Sequence, residues 1–350
     1  MTSKKNILFI VNPISGTQGK EAIVKWIEKL TDCSKYNYRI CRTQHAGHAY
    51  ELAGEAAKKG IDIVVAIGGD GTINEVGRAL IHTQTALGII PCGSGNGLAR
   101  HLGIPMDVRK AIQLINEGYS ECIDYGKIDG HPFFCTCGVG FDAFVSLKFA
   151  NSGKRGPLTY LENMLHESLT YKPEVYTIEN SEGTLQRKAF LIACANASQY
   201  GNNAYIAPQA SLTDGLMDIT ILEPFTVLDV PSLSYQLFNK TIDQNSRIKT
   251  LRSQKIRIHR EHEGVFHFDG DPIMGGKTLE VEMFPKGLNV MVSQNAPKDQ
   301  PLFGNLLQQI TEFIDPPSPN AITKNIIHKH KQLLVLNKHL LRRLSKKRPE

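Results

Sequence analysis

Three glycine-bearing loops, each directly after an apolar run, limit the folds open to this chain more than any other feature. Asn6–Val11 (NILFIV) leads into Asn12-Pro13-Ile14-Ser15-Gly16, and Asp62–Ile67 (DIVVAI) leads into Gly68-Gly69-Asp70-Gly71-Thr72-Ile73-Asn74-Glu75. Leu87–Pro91 leads into Cys92-Gly93-Ser94-Gly95-Asn96-Gly97. Apolar residues at helical spacing follow each loop: Ala22, Ile23, Trp26, Ile27 and Leu30; then Ile73, Val76, Leu80 and Ile81; then Val108, Ala111, Ile112 and Ile115. A further strand, Tyr38–Cys41, and an Ala-rich helix from Ala49 to Lys59 fall between the first two loops. Strands that are apolar throughout and alternate with helices predict a parallel sheet covered on both faces. All three loops then lie at the carboxyl edge of that sheet, where ligands bind. Glycines let the backbone approach an anion closely and take positive φ, and the helix starts behind them offer unpaired N–H groups. This is the make-up of a phosphate site.

Beyond Glu121 the pattern changes. Thr177–Glu179, Lys188–Ala197, Met217–Leu222, Lys255–His259, Val265–Phe268, Thr278–Met283 and Leu288–Val292 are short β-branched runs between Gly, Pro or charged turns. They predict an antiparallel sheet or sandwich, with helices only near Leu158–Leu169 and Thr226–Phe238. The expected division is residues 1–125, an α/β domain; 126–297, a sandwich whose last strands return toward the first domain; and 298–350, a linker and tail. The Asp315-Pro316-Pro317-Ser318-Pro319 break precedes a basic, helically spaced tail carrying Lys324, Lys329, Lys331, Lys338, Arg342, Arg343, Lys346, Lys347 and Arg348. The net charge of +6 is concentrated there, so nucleic-acid binding through a general basic surface is not expected. A helix lying on anionic lipid suits the tail, as does packing on the protein or on a second subunit, so a homodimer stays open. Seven cysteines, odd in number and without a CxxC pair, argue against a disulfide framework or a zinc site. No apolar run reaches the length of a membrane span and no leader with a cleavage site is visible. The expected location is the cytoplasm, with peripheral contact to the inner face of the membrane.

Asp70 needs its own account. A carboxylate inside a phosphate loop is repelled unless a metal or a proton offsets its charge, so Asp70 reads as a Mg²⁺-bound or proton-handling group. Neither GxxxxGK[ST] nor GxGxxG is present, which lowers the weight of P-loop enzymes and ordinary dinucleotide-binding dehydrogenases.

Taken in order, the three loops, Gly138-Val139-Gly140-Phe141-Asp142-Ala143, Asp214-Gly215-Leu216-Met217-Asp218 and Asp269-Gly270-Asp271 resemble the diacylglycerol kinase and sphingosine kinase family of lipid kinases. The resemblance runs from the first strand to about Ser293. It implies an α/β nucleotide-binding domain, like that of NAD kinases and phosphofructokinases, and an antiparallel β-sandwich domain. It implies ATP along Asn12, Pro13, Ser15, Gly16, Thr43, Gly68, Gly69, Asp70, Gly71, Thr72, Asn74, Glu75, Gly93, Ser94 and Asn96. It places a structural Mg²⁺ at Asp214 with the carbonyls of Ser211 and Leu216, where the residues alone suggest a plain turn. Asp142 is implied as a support for the polar end of the lipid, with a turn or helix cap as the alternative.

The family's general base is usually a Glu, and Asp271 stands in its place. The end of the Val265–Phe268 strand is expected to present Asp269 and Asp271 on one side. Aspartate is a methylene shorter, and an exposed one, with a pKa of about 3.9, is a poor base unless its site raises that value. Asp70 is the second candidate. The expected reaction is transfer of the γ-phosphate of ATP to a lipid hydroxyl, with diacylglycerol or a sphingoid base as acceptor. A kinase for a small molecule such as NAD, or a non-catalytic lipid- or nucleotide-binding protein, are the alternatives.

Overall fold

The computed structural model describes residues 4–16, 19–152 and 171–293. The expected helix at Leu158–Leu169 and the basic tail lie outside the described residues.

The first part of the chain alternates as its apolar pattern requires. It runs β1 (Lys5–Val11), α1 (Lys20–Leu30), β2 (Tyr36–Arg42), α2 (His48–Lys58), β3 (Ile63–Gly68), α3 (Asp70–Leu80), β4 (Ala86–Pro91), α4 (Gly97–His101) and α5 (Val108–Glu117). β2, β1, β3 and β4 are neighbours in that order and pair in parallel. β3 and β4 are buried along their whole length because helices cover both faces. α5 is capped by its own N-cap side chain: Asp107 accepts from the N–H groups of Arg109 and Lys110.

The rest is mainly antiparallel. It comprises β5 (Tyr119–Ile128), β6 (His131–Phe133), β7 (Thr136–Gly140), α6 (Phe141–Ser152), β8 (Glu174–Asn180), β9 (Gly183–Ala189), β10 (Leu191–Ala195), β11 (Met217–Leu222) and α7 (Val230–Phe238). A 3₁₀ turn at Ile242–Gln244, then β12 (Ile248–Ser253), β13 (Lys255–Arg260), β14 (Gly264–Phe268), β15 (Asp271–Gly275) and β16 (Thr278–Val292), complete it. One sheet has the order β12-β11-β10-β7-β14-β15. The other continues the parallel sheet through β16 to β13, β8 and β9. Cys137, Val139, Ile192, Cys194, Met217 and Ile219 pack with Ile256, Ile258, Phe266, Leu279 and Val281 to form the sandwich core.

Two strand expectations change. Lys188–Ala197 is not one strand: it breaks at Phe190, whose N–H donates to Leu222 and whose carbonyl accepts from Phe141. β9 thereby stays in one sheet while β10 joins the other. Thr278–Met283 and Leu288–Val292, read as separate runs, are the two halves of β16. Its first half pairs with β13 and its second touches β4 at Val290 and Leu87, while β5 follows it throughout with a register shift between Phe284 and Leu288.

That shift is held by a side chain. Lys286 has φ +52°, and its N–H donates to Asp124 Oδ1 at 2.7 Å. Asp124 Oδ2 accepts from the Gly215 N–H, also at 2.7 Å, and the residue is fully buried. An amide in place of this carboxylate would set an N–H against one of the two donors. Asp124→Asn is expected to lower the unfolding free energy by about 2 kcal/mol in urea titrations.

Candidate active site

Because β1, β3 and β4 are adjacent, the three loops meet at one edge of the sheet. Asn12 begins the first loop; its N–H donates to the Ile67 carbonyl and its Nδ2 to Thr72 Oγ1 at 2.9 Å. Its Oδ1 accepts from Ile14, and its carbonyl from Ser15 Oγ. Gly16 has φ +65°, and a Cβ there would lie 1.9 Å from the Cys92 carbonyl oxygen. The Cys92 N–H in turn donates to the Gly68 carbonyl. The first loop is thus bonded to the second and pressed against the third, and the second is bonded to the third.

The second and third loops touch backbone to backbone. A Cβ on Gly93 would sit 2.5 Å from the Gly69 Cα, and one on Gly95 would sit 2.8 Å from Asp70 Oδ2. Asn96, at φ +53°, closes the third loop on itself: its Oδ1 accepts from the Gly93 N–H and its Nδ2 donates to the Gly93 carbonyl. Most of the glycines therefore serve the approach of one loop to another, and of the expected contact glycines only Gly16 has a positive φ. Gly71 is the exception on the open side: it is exposed, and a Cβ there meets nothing within 4 Å. Pro13, Gly16 and Ser94 are also exposed, and Ser15 is half-buried. Thr43 follows β2 at the same edge, its N–H bonded to the Val11 carbonyl.

Asp70 has work that the sequence did not reveal. Its Oδ1 accepts from the Gly97 N–H and its Oδ2 from the Asn96 N–H, both at 2.8 Å. Burial raises its pKa, while these N–H groups and the Arg100 guanidinium pull it down. Backbone dipoles and an arginine thus offset part of its charge, and burial still leaves the pKa raised. Asn74 and Glu75 also turn to protein partners. Asn74 Nδ2 donates to Asp269 Oδ2 at 2.8 Å and to the Pro132 carbonyl. Glu75 accepts from the N–H groups of Gly47 and Ala49, capping α2.

Asp269 and Asp271 do not act together. Asp269, at φ +48°, turns inward and accepts from Asn74 and from the backbone N–H groups of Phe134, Cys135 and Thr136. Burial pushes its pKa up to about 6 against the pull of those donors. Asp271 is exposed at the start of β15. Desolvation by its surroundings raises its pKa; Arg78 lowers it, and Glu75 and Asp70 raise it further. The charges that act on Asp271 thus include three residues carried by α3.

Asp142 is enclosed rather than open to a substrate. Its Oδ1 accepts from the Ala143 N–H; its Oδ2 accepts from the Tyr200 hydroxyl and lies 3.1 Å from His267 Nε2. His267 is 2% exposed. The expected metal turn is closed as well. Asp214 Oδ1 accepts from the Leu216 N–H, and its Oδ2 is bound by the Arg252 guanidinium, which also reaches Asp218 at 3.4 Å. Ser211 Oγ accepts from the Thr213 N–H. A divalent ion held by Asp214 and the carbonyls of Ser211 and Leu216 would share the Asp214 carboxylate with Arg252.

Two basic groups of the cleft went unnoticed in the sequence. Arg78 acts on Asp271, as above. Lys20, the first residue of α1, has a buried ammonium with no oxygen acceptor among the described residues, and it lies beside the Cys92 thiol, whose pKa it lowers by its charge and a hydrogen bond against the effect of burial. A buried cation without an acceptor is costly, and a bound phosphate oxygen would relieve that cost. Gly19-Lys20 at the end of the first loop was the available signal.

Known proteins share this plan. Residues 6–128 match the family described as diacylglycerol kinase catalytic domain, and residues 135–292 match the YegS C-terminal NAD kinase beta sandwich-like domain. The chain is 31% identical over 262 residues to a protein of Salmonella arizonae named "Probable lipid kinase YegS", covering 73% of this chain and 86% of that one. It is 30% identical over 260 residues to the "Probable lipid kinase YegS-like" of Klebsiella pneumoniae, with the same coverage. A solved diacylglycerol kinase of Bacillus anthracis has the same fold, with a TM-score of 0.67 at 19% identity over 85% of this chain and 100% of that one.

The loop contacts have a direct test. Gly93→Ala forces apart backbones that a Cβ cannot enter, and is expected to cost about 1–3 kcal/mol of stability. An ATP-induced rise in melting temperature, expected of the unaltered protein, should be absent in this variant.

Proposed function

The chain belongs to the YegS-like lipid kinases, and we propose that it transfers the γ-phosphate of ATP to a lipid hydroxyl, with diacylglycerol and sphingoid bases as the leading acceptors. The observation that carries this reading is the meeting of the three loops at one sheet edge, opposite Asp271. ATP would lie with its phosphates over Gly71 and Ser94, where N–H groups of the α3 first turn and the positive end of its dipole favour an anion. Lys20 would bind a phosphate oxygen from the side of the first loop. Mg²⁺ would enter bound to the nucleotide, and no residue of this chain is assigned to it.

In phosphoryl transfer, positioning and charge stabilisation carry most of the rate, and a base only completes the step. Asp271 would accept the proton of the attacking hydroxyl, helped by its raised pKa. Arg78 would hold it within reach. Asp70 would act indirectly, keeping the second and third loops in register.

The activity is tested by incubating the protein with labelled ATP and total membrane lipid, with NAD in a parallel reaction, and identifying the labelled product by mass. Label in NAD alone, or in neither, overturns the reading. Lys20→Ala is expected to raise the KM for ATP about tenfold or more, and Lys20→Arg to restore much of the loss. Asp271→Asn should leave a trace of activity and remove the acidic limb of the kcat/KM profile. That limb should lie above the ordinary carboxylate pKa, because the group is active once deprotonated and its pKa is raised. Full activity in Asp271→Asn would show that the base lies elsewhere.

A further inference from the structure

The helix α7 has two apolar faces where a surface helix needs one. Its inner face is accounted for: Leu233 is buried, and Leu237 packs on the same cluster with Phe225. Its outer face carries Pro231, Tyr235 and Phe238, spaced four and three residues apart and so aligned along one side. Tyr235 is 62% exposed and Phe238 37%. The turn that leads in adds Val227 at 45% and Leu228 at 89%. That turn is ordered, since the Thr226 N–H and hydroxyl both donate to Asp229 Oδ2. The helix sequence, VPSLSYQLF, contains no charged residue at all. Contiguous exposed apolar surface of this kind marks a place of contact.

We propose that this outer face of α7, with Val227 and Leu228, docks on the lipid bilayer that holds the acceptor. The acceptors of lipid kinases reside in membranes, and among the described residues no helix is long and apolar enough to cross one. The protein must therefore meet the bilayer through its surface. The position of α7 suits that task. Its Leu237 carbonyl accepts from the Tyr205 N–H at 2.8 Å. The loop ending at Tyr205 packs on the third phosphate loop, where the Asn202 N–H donates to the Gly95 carbonyl and a Cβ on Gly201 would lie 2.7 Å from the Gly95 Cα. One loop thus separates the apolar face from the phosphate cleft.

Charge agrees with an anionic surface. Lys240 follows the helix, its ammonium 4.9 Å from the Tyr205 ring centre, while Asp229 at the leading turn is neutralised by Arg247 at 3.6 Å. A tyrosine suits the level of the headgroups, where its ring and hydroxyl meet different surroundings.

The test uses the full chain and sedimentation with vesicles of phosphatidylcholine and phosphatidylglycerol. The double variant Leu228→Glu/Tyr235→Glu is expected to lower partition onto vesicles about tenfold or more, since each buried apolar side chain contributes on that scale. Its melting temperature and its ATP-induced shift should match the unaltered protein. If the double variant does not fold, Leu228→Ser at the most exposed position gives the same comparison with a smaller loss. Partition unchanged in these variants overturns the proposal, as does an unaltered protein that ignores vesicles. A concentration-dependent dimer that the variants dissolve, with vesicle binding intact, overturns it in favour of a second copy of the chain. The proposal rests on the lipid-kinase reading for its choice of a bilayer. The two fail differently: absence of an ATP-induced shift in the unaltered protein counts against kinase activity and leaves the vesicle result to stand alone.

Discussion

Asp269 takes hydrogen bonds from Asn74 on α3 and from three consecutive backbone N–H groups at residues 134–136. The bonded groups belong to the helix that begins at the second phosphate loop and to the segment joining β6 to β7. The carboxylate itself sits in the turn between β14 and β15, two residues before Asp271. Four donors around one buried acid make a joint that is both directional and expensive to break. The position of Asp271 relative to the phosphate loops depends on it. A longer or shorter side chain at 269 would move the proposed base relative to α3.

The same device recurs across the cleft. Asp70 ties α3 to the third loop, Glu75 ties α3 to α2, and Asp124 ties the turn at Gly215 to the bend in β16. In each case a carboxylate accepts two backbone N–H groups from a distant part of the chain. Such bonds satisfy donors that irregular backbone would otherwise leave unpaired in the interior. Acidic residues are concentrated here because loops of this kind expose many N–H groups and few acceptors.

Much of this was legible in the sequence, and the boundary between legible and hidden has a physical cause. The parallel strands, the helices behind them and the loops at one sheet edge follow from local periodicity and from glycine placement. The antiparallel strands follow from β-branched runs between turns. What stayed hidden depends on partners far along the chain. The bonds that Asp70 accepts from Asn96 and Gly97 cannot be read from its own loop, because those partners lie in another. The ion pair of Asp214 with Arg252 is hidden in the same way, because Arg252 lies on the strand beside β11. Asp269 and Asp271 share a face by strand alternation, but the left-handed turn at Asp269 removes the alternation. The bend in β16 reads as a break because Pro285-Lys286-Gly287 resembles a turn, and only the buried Asp124 shows how the strand continues.

β16 also bears on how the cleft can move. It pairs with β13 at one end and touches β4 at the other, and β5 accompanies it along both halves. A kinase whose lobes hang on a flexible linker can shut like a clam on its nucleotide. Here the two lobes share a spine, and opening the angle between them would strip hydrogen bonds from a ladder that both lobes need. A change in the angle between them would have to be taken up in the twist of that ladder. Discrimination between acceptors falls to side chains and surface loops, which can change over evolution without disturbing the frame.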